Sequence, residues 1–117
     1  MTKNKNKKKF QLIVTIVFKG FVEDIVEAAK SAGAEGSTII NGRGTGIHEN
    51  TKLLGMLIEP EKEIILTLVP IEISANVLKA ICAAGNLDQP NKGIAFVLDV
   101  EKVSGICHLC QRADGNK

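Results

Sequence analysis

Residues 10–33 read FQLIVTIVFKGFVEDIVEAAKSAG, and the hydrophobic period changes midway along them. Phe10 to Val17 is a continuous apolar, β-branched run of strand length, as expected of a strand in the middle of a sheet. Beyond it Phe21, Val22, Ile25, Val26, Ala29 and Ala32 recur at helical spacing. Glu23 and Asp24 occupy the early turns, where they complement the positive end of the helix dipole. Gly33 follows as a stop. A strand that hands over to an amphipathic helix is the first half of a β-α-β unit.

The same hand-over recurs further on. Ser37 to Asn41 is a short β-rich segment, and it runs into Gly42-Arg43-Gly44-Thr45-Gly46, which has too much backbone freedom for regular structure. Residues 45–60 hold no sustained period and contain Gly55 and Pro60, which predicts a long excursion, either a functional loop or an extended hairpin. Glu63 to Val69 is again a strand, interrupted by Pro70. Ile71 to Ala84 then puts Ile73, Val77, Leu78 and Ile81 on one helical face, and Gly85 closes that helix. After a polar turn over 86–92, Ile94 to Val100 is the last main strand. Strand, helix, strand, strand, helix, strand is the split arrangement of an α+β ferredoxin-like sandwich. Right-handed crossovers place both helices on one face of an antiparallel sheet. The other face holds too few polar residues to stay wet, so self-association is expected to cover it.

The 117-residue chain is 44% hydrophobic, enough for one core and one domain. Its formal charge of +2 conceals a division, because Lys3, Lys5, Lys7, Lys8 and Lys9 crowd the first nine residues and the remainder carries a net −3. Residues 1–9 are expected to be a disordered basic tail, a solubilising leader in preference to a nucleic-acid or membrane-surface anchor, 10–106 the folded domain, and 107–117 a C-terminal tail with the CxxC pair. With no Trp or Tyr the chain is poorly equipped to stack on bases, and no nucleic-acid partner is expected. The apolar run Leu12–Phe18 is about a third of the length of a membrane span, and the residues after it do not form a signal-peptidase site. Three cysteines do not make an extracellular disulfide framework. The expected location is cytoplasmic.

Two glycine turns can carry recognition chemistry. Gly42-Arg43-Gly44 and Asn91-Lys92-Gly93 each combine backbone N–H groups that an anion can approach with one basic side chain. Neither is a Walker A loop, since no Gly-Lys-Ser or Gly-Lys-Thr closes it. The only histidines, His48 and His108, and the serines form no catalytic constellation, so no enzyme is expected. Glu59, Glu61 and Glu63 read as a solvated flank to a strand. Cys107-His108-Leu109-Cys110 has the spacing of a redox pair or half a metal site. A complete site would need His48, the buried Cys82 or neighbouring subunits, and inert thiols are the favoured reading, ahead of a redox pair and then a metal site.

Taken together, Ile16-Val17-Phe18-Lys19-Gly20-Phe21 through Gly33, Gly36-Ser37-Thr38, Gly42-Arg43-Gly44, Leu66 to Pro70 and Ala95 to Val103 resemble the P-II nitrogen-regulatory family. The resemblance spans about residues 10–106. It implies a homotrimer of ferredoxin-like subunits, an adenine nucleotide in each cleft between subunits, and a long T-loop over 43–60. That loop would change shape and grip a protein target, such as a membrane transporter or a metabolic enzyme. By position, Ile16 and Thr38 would line the adenine side, Gly42, Arg43 and Gly44 would begin the T-loop, and 85–93 would form the phosphate-contacting loop with Gly85, Lys92 and Gly93. Ile94 stands where the family has a lysine, and about Gly105 and Cys107 stand where it has two arginines. Each missing cation removes a charge-assisted contact worth roughly 1.5–3 kcal/mol, which favours ADP or AMP over ATP. No tyrosine is present for nucleotidylylation of the loop, so control falls to the ligand. Cys107 and Cys110 resemble the redox-active C-terminal pair of some divergent relatives. A trimeric metal-binding protein of the related copper-tolerance type, with the same two cysteines as ligands, is the alternative.

Overall fold

The computed structural model describes residues 8–45, 51–58 and 60–106. Eight elements follow in order: β1 (Phe10–Phe18), α1 (Val22–Ser31), β2 (Thr38–Arg43), β3 (Thr51–Leu53), β4 (Met56–Ile58), β5 (Glu61–Pro70), α2 (Ile71–Gly85) and β6 (Gly93–Val100). The main sheet has the order β2-β5-β1-β6, all antiparallel. This is the expected α+β ferredoxin-like sandwich. The apolar run that opens β1 is explained by its place, since it pairs with β5 on one side and β6 on the other.

One face of the sheet carries the core. Ile13 and Val17 of β1, Ile65 and Val69 of β5, Ile25 and Ala29 of α1, and Val77 and Ile81 of α2 are all buried in a single cluster. Ile73 and Leu78 pack against it half-buried. Helix α1 ends in a doubly bonded cap, with Gly33 N–H donating to the Lys30 carbonyl at 2.9 Å and Ala34 N–H to Ala29 at 3.0 Å. Helix α2 ends the same way, Leu87 N–H donating to Cys82 at 3.0 Å, but there the left-handed residue is Asn86 (φ 53). Gly85, expected to close the helix, is instead its last helical residue. A Cβ there would lie 3.2 Å from Ile25 Cδ1, so packing explains its bareness. At the other end of α2 no side chain caps the helix, and Ile71 N–H donates to the Lys9 carbonyl at 2.9 Å.

One reading is corrected by the ladder and two are sharpened. Gly42 and Arg43 continue β2 opposite Lys62 and Glu61, because cross-strand hydrogen bonds override the local freedom of the glycine. The 45–60 stretch contains a short hairpin, β3 against β4, whose turn residues Leu54 and Gly55 both have positive φ (54° and 80°). Glu61 and Glu63 are not merely a solvated flank: Glu61 Oε1 lies 3.2 Å from Lys19 Nζ, and Glu63 Oε1 accepts a hydrogen bond from Gly20 N–H at 3.2 Å. Together they tie the β1–α1 turn to the start of β5. Cys82 is half-buried and free.

Candidate functional site

The register brings one end of every main strand together. Asn41, Glu63, Val17 and Gly93 form one row across the sheet, and Gly42, Lys62 and Phe18 lie in the next. Both glycine turns therefore emerge at the same end. They do so from opposite edges, since β2 and β6 are the outermost strands. Three strand spacings separate them, about 14 Å. A single small ligand in one chain cannot bridge that distance.

The two turns differ in what they offer. Gly44 N–H is directed at the Pro60 carbonyl, 3.3 Å away, and Arg43 stands opposite Glu61 in the ladder, so the first turn is largely spent on closing the base of the hairpin excursion. Asn91 adopts a positive φ of 63° and Gly93 one of 142°, with the exposed Lys92 between them. A Cβ at Gly93 would fall 2.5 Å from the Ile16 carbonyl oxygen and 2.8 Å from Val17 Cγ1. Only a glycine lets β6 approach β1 so closely here. That close approach holds the Lys92 turn against the end of β1.

The side chains at this end are charged and mostly paired. Lys19 meets Glu61, and Lys62 Nζ lies 4.7 Å from the centroid of the Phe18 ring, a cation–π contact. Lys19, Asn41, Gly42, Arg43, Glu61 and Lys62 line a shallow groove of about 310 Å³. Lys92 has neither ion pair nor hydrogen bond among the described residues.

Ile16 sits on the sheet face away from the helices, flanked in register by Ile64 and Ile94, with Ile40 beyond Ile64. The next row is Thr38, Leu66, Val14 and Phe96. Thr38 is thus on the same face as Ile16 but two strands and two residues away, and the fold does not bring the pair together within one chain. Ile40, Ile94, Phe96 and Leu98 are 41–56% exposed on this face. Sequence reasoning anticipated an uncovered apolar face; the four-isoleucine row needed the register to become visible. Among the described residues no group of three or more His, Cys, Asp or Glu could hold a metal. His48, Glu59, Cys107, His108 and Cys110 lie outside the described residues.

Comparison with known proteins follows the same lines. The chain resembles the solved structure of Arabidopsis thaliana PII bound to citrate, with a TM-score of 0.64 and 20% identity over 86% of this chain and 83% of that one. It also resembles a Bacillus cereus protein related to NIF3, with a TM-score of 0.61 and 21% identity over 81% of this chain. This chain spans 26% of that larger protein. At such identities the likenesses speak for the fold. No curated protein matches in sequence. The family model for nitrogen regulatory protein P-II matches residues 10–108 of the 117, and the protein therefore belongs to the P-II family of regulatory signalling proteins.

Proposed function

We propose that this chain is a non-enzymatic, cytoplasmic sensor that assembles as a homotrimer and binds an adenine nucleotide in each cleft between subunits. Occupancy of the cleft reorganises loop 43–60, which changes the affinity for a protein target such as a membrane transporter or a metabolic enzyme. The observation that carries this reading is the separation of the two glycine turns. They share one end of the sheet but lie on opposite edges, so a site that uses both needs the β2 edge of one copy beside the β6 edge of the next. The apolar face supplies the reason for copies to meet. That the Arabidopsis relative is bound to citrate supports an anionic effector.

Sedimentation equilibrium combined with calorimetry against adenine nucleotides tests the reading. The expected outcome is a species of three times the 12.5 kDa chain mass that binds one nucleotide per chain. A monomer, or a trimer indifferent to every adenine nucleotide, would overturn it.

A further inference from the structure

We infer that the β3–β4 hairpin grips its protein target through an apolar anchor, Leu54, which enters a nonpolar pocket on that target. This rests on the reading of loop 43–60 as the element that meets the target, and it adds the chemistry of the contact. Two independent costs coincide at Leu54. Its φ of 54° lies in the left-handed region, and its side chain is 94% exposed, the most of any large hydrophobic side chain among the described residues. The other non-glycine residues with positive φ are Asn86 and Asn91, a residue type that region tolerates. An asparagine at 54 would likewise suit the dihedral, and nothing in the chain packs on the leucine to favour it instead. Backbone outliers of this kind concentrate at binding sites, where the contact they make offsets the strain.

The neighbouring residues set the character of the partner. Leu53 to Ile58 reads LLGMLI, without a charge or a polar side chain, and Lys52 is the single charged residue of 51–58. A grip formed by such a tip is driven by desolvation, so salt should affect it little. A protein pocket fits it better than a lipid surface. Segments that settle in the membrane interface combine aromatic side chains with several basic ones, whereas 51–58 has no aromatic residue and one lysine.

The test uses the full chain with photoleucine at position 54, irradiated in an extract of its own cells, followed by calorimetry of the purified target with and without adenine nucleotide. Leu54→Asn is expected to weaken the target roughly ten- to a hundredfold, the share of affinity that burial of one leucine supplies. It should do so while easing the turn, a combination that a purely structural role for Leu54 does not produce. Leu54→Met, which keeps an apolar side chain, should retain binding. Cross-strand nuclear Overhauser contacts establish that the hairpin persists in both variants. A target that binds Leu54→Asn as tightly as the natural chain, or that is released by salt, would overturn the anchor. Crosslinks to lipid, to a second copy of the chain or to nothing would overturn it too. Replacement of residues 46–58 by a short Gly-Ser linker separates the two levels. If the linker abolishes binding where Leu54→Asn does not, the loop still meets the target and only the anchor fails; if the linker leaves binding intact, the loop reading fails as well.

Discussion

Two threonines are fully buried on the helix-covered face of the sheet, and their hydroxyls meet different fates. Thr67 Oγ1 lies 3.0 Å from Ser37 Oγ, a hydrogen bond that links β5 to the approach to β2. Thr15 Oγ1 has no partner among the described residues, although the residue is 0% exposed between Ile65 and Ala95 in the ladder. A desolvated, unpaired hydroxyl costs about 1–3 kcal/mol, and a methyl of the same shape removes that cost. Thr15→Val is therefore expected to stabilise the protein by about 1 kcal/mol. Thr67→Val should not, because it strands Ser37. Urea denaturation midpoints compared at constant slope decide between them. Gly93 behaves in the opposite sense. Its replacement by alanine places a Cβ 2.5 Å from the backbone carbonyl oxygen of Ile16, at a φ of 142°. Neither the contact nor the dihedral can relax without moving β1 or β6. Overpacking and backbone strain together are expected to cost about 2–4 kcal/mol, read as a lower melting temperature. The same glycine also lies in the proposed ligand turn, so a loss of binding in Gly93→Ala would report on both at once.

At the scale of elements, the hairpin over β3 and β4 sets a clear conflict between local preference and observed backbone. Its two turn residues both need positive φ, which suits Asn-Gly, whereas here they are Leu54 and Gly55. A leucine in the left-handed region is strained, and this one is 94% exposed, so it recovers nothing from packing within the chain. Leu54→Asn is expected to strengthen the turn by about 1 kcal/mol, visible as stronger cross-strand nuclear Overhauser contacts between Leu53 and Met56. The poor turn signal also explains why the sequence leaves a functional loop and a hairpin undecided over 45–60. With Leu-Gly at its tip and strands of three residues, the hairpin lacks both the turn chemistry and the length on which a period can be read. The long elements behaved differently. β1 and both helices were legible to within a residue or two because a buried face imposes its period on the sequence. The end of β2 was misread for the reason that it has no such face: it is an edge strand, every residue but Gly42 is exposed, and its pairing with β5 is a long-range fact. The site shares that limitation. Both glycine turns were visible as composition, but their place at one end of the sheet and on opposite edges follows only from the strand order.

For the whole molecule the decisive surface is the helix-free face of the sheet. Ile40, Ile94, Phe96 and Leu98 are each about half exposed there, so each still has about 1 kcal/mol to gain from complete burial. Four such side chains supply roughly 4 kcal/mol per copy before ordering costs, and Leu12, Val14, Ile16 and Phe18 lie beside them on the same face. Phe96 is at the middle of the outer strand, opposite Val14, and projects from the sheet on the side away from both helices. An aspartate in its place touches none of the buried cluster under α1 and α2, so Phe96→Asp should leave the single-chain fold intact by circular dichroism. It introduces a charge that self-association would have to bury without a partner, at a cost of several kcal/mol. Sedimentation is therefore expected to show a monomer where the natural sequence gives the proposed trimer. Nucleotide binding should disappear with the trimer even though Lys92 and Gly93 are untouched, because the proposed cleft takes its second edge from a neighbouring copy. A variant that stays monomeric and still binds an adenine nucleotide with undiminished affinity would mean that the ligand is held within one chain, and the separation of the turns across the sheet would then carry no functional meaning.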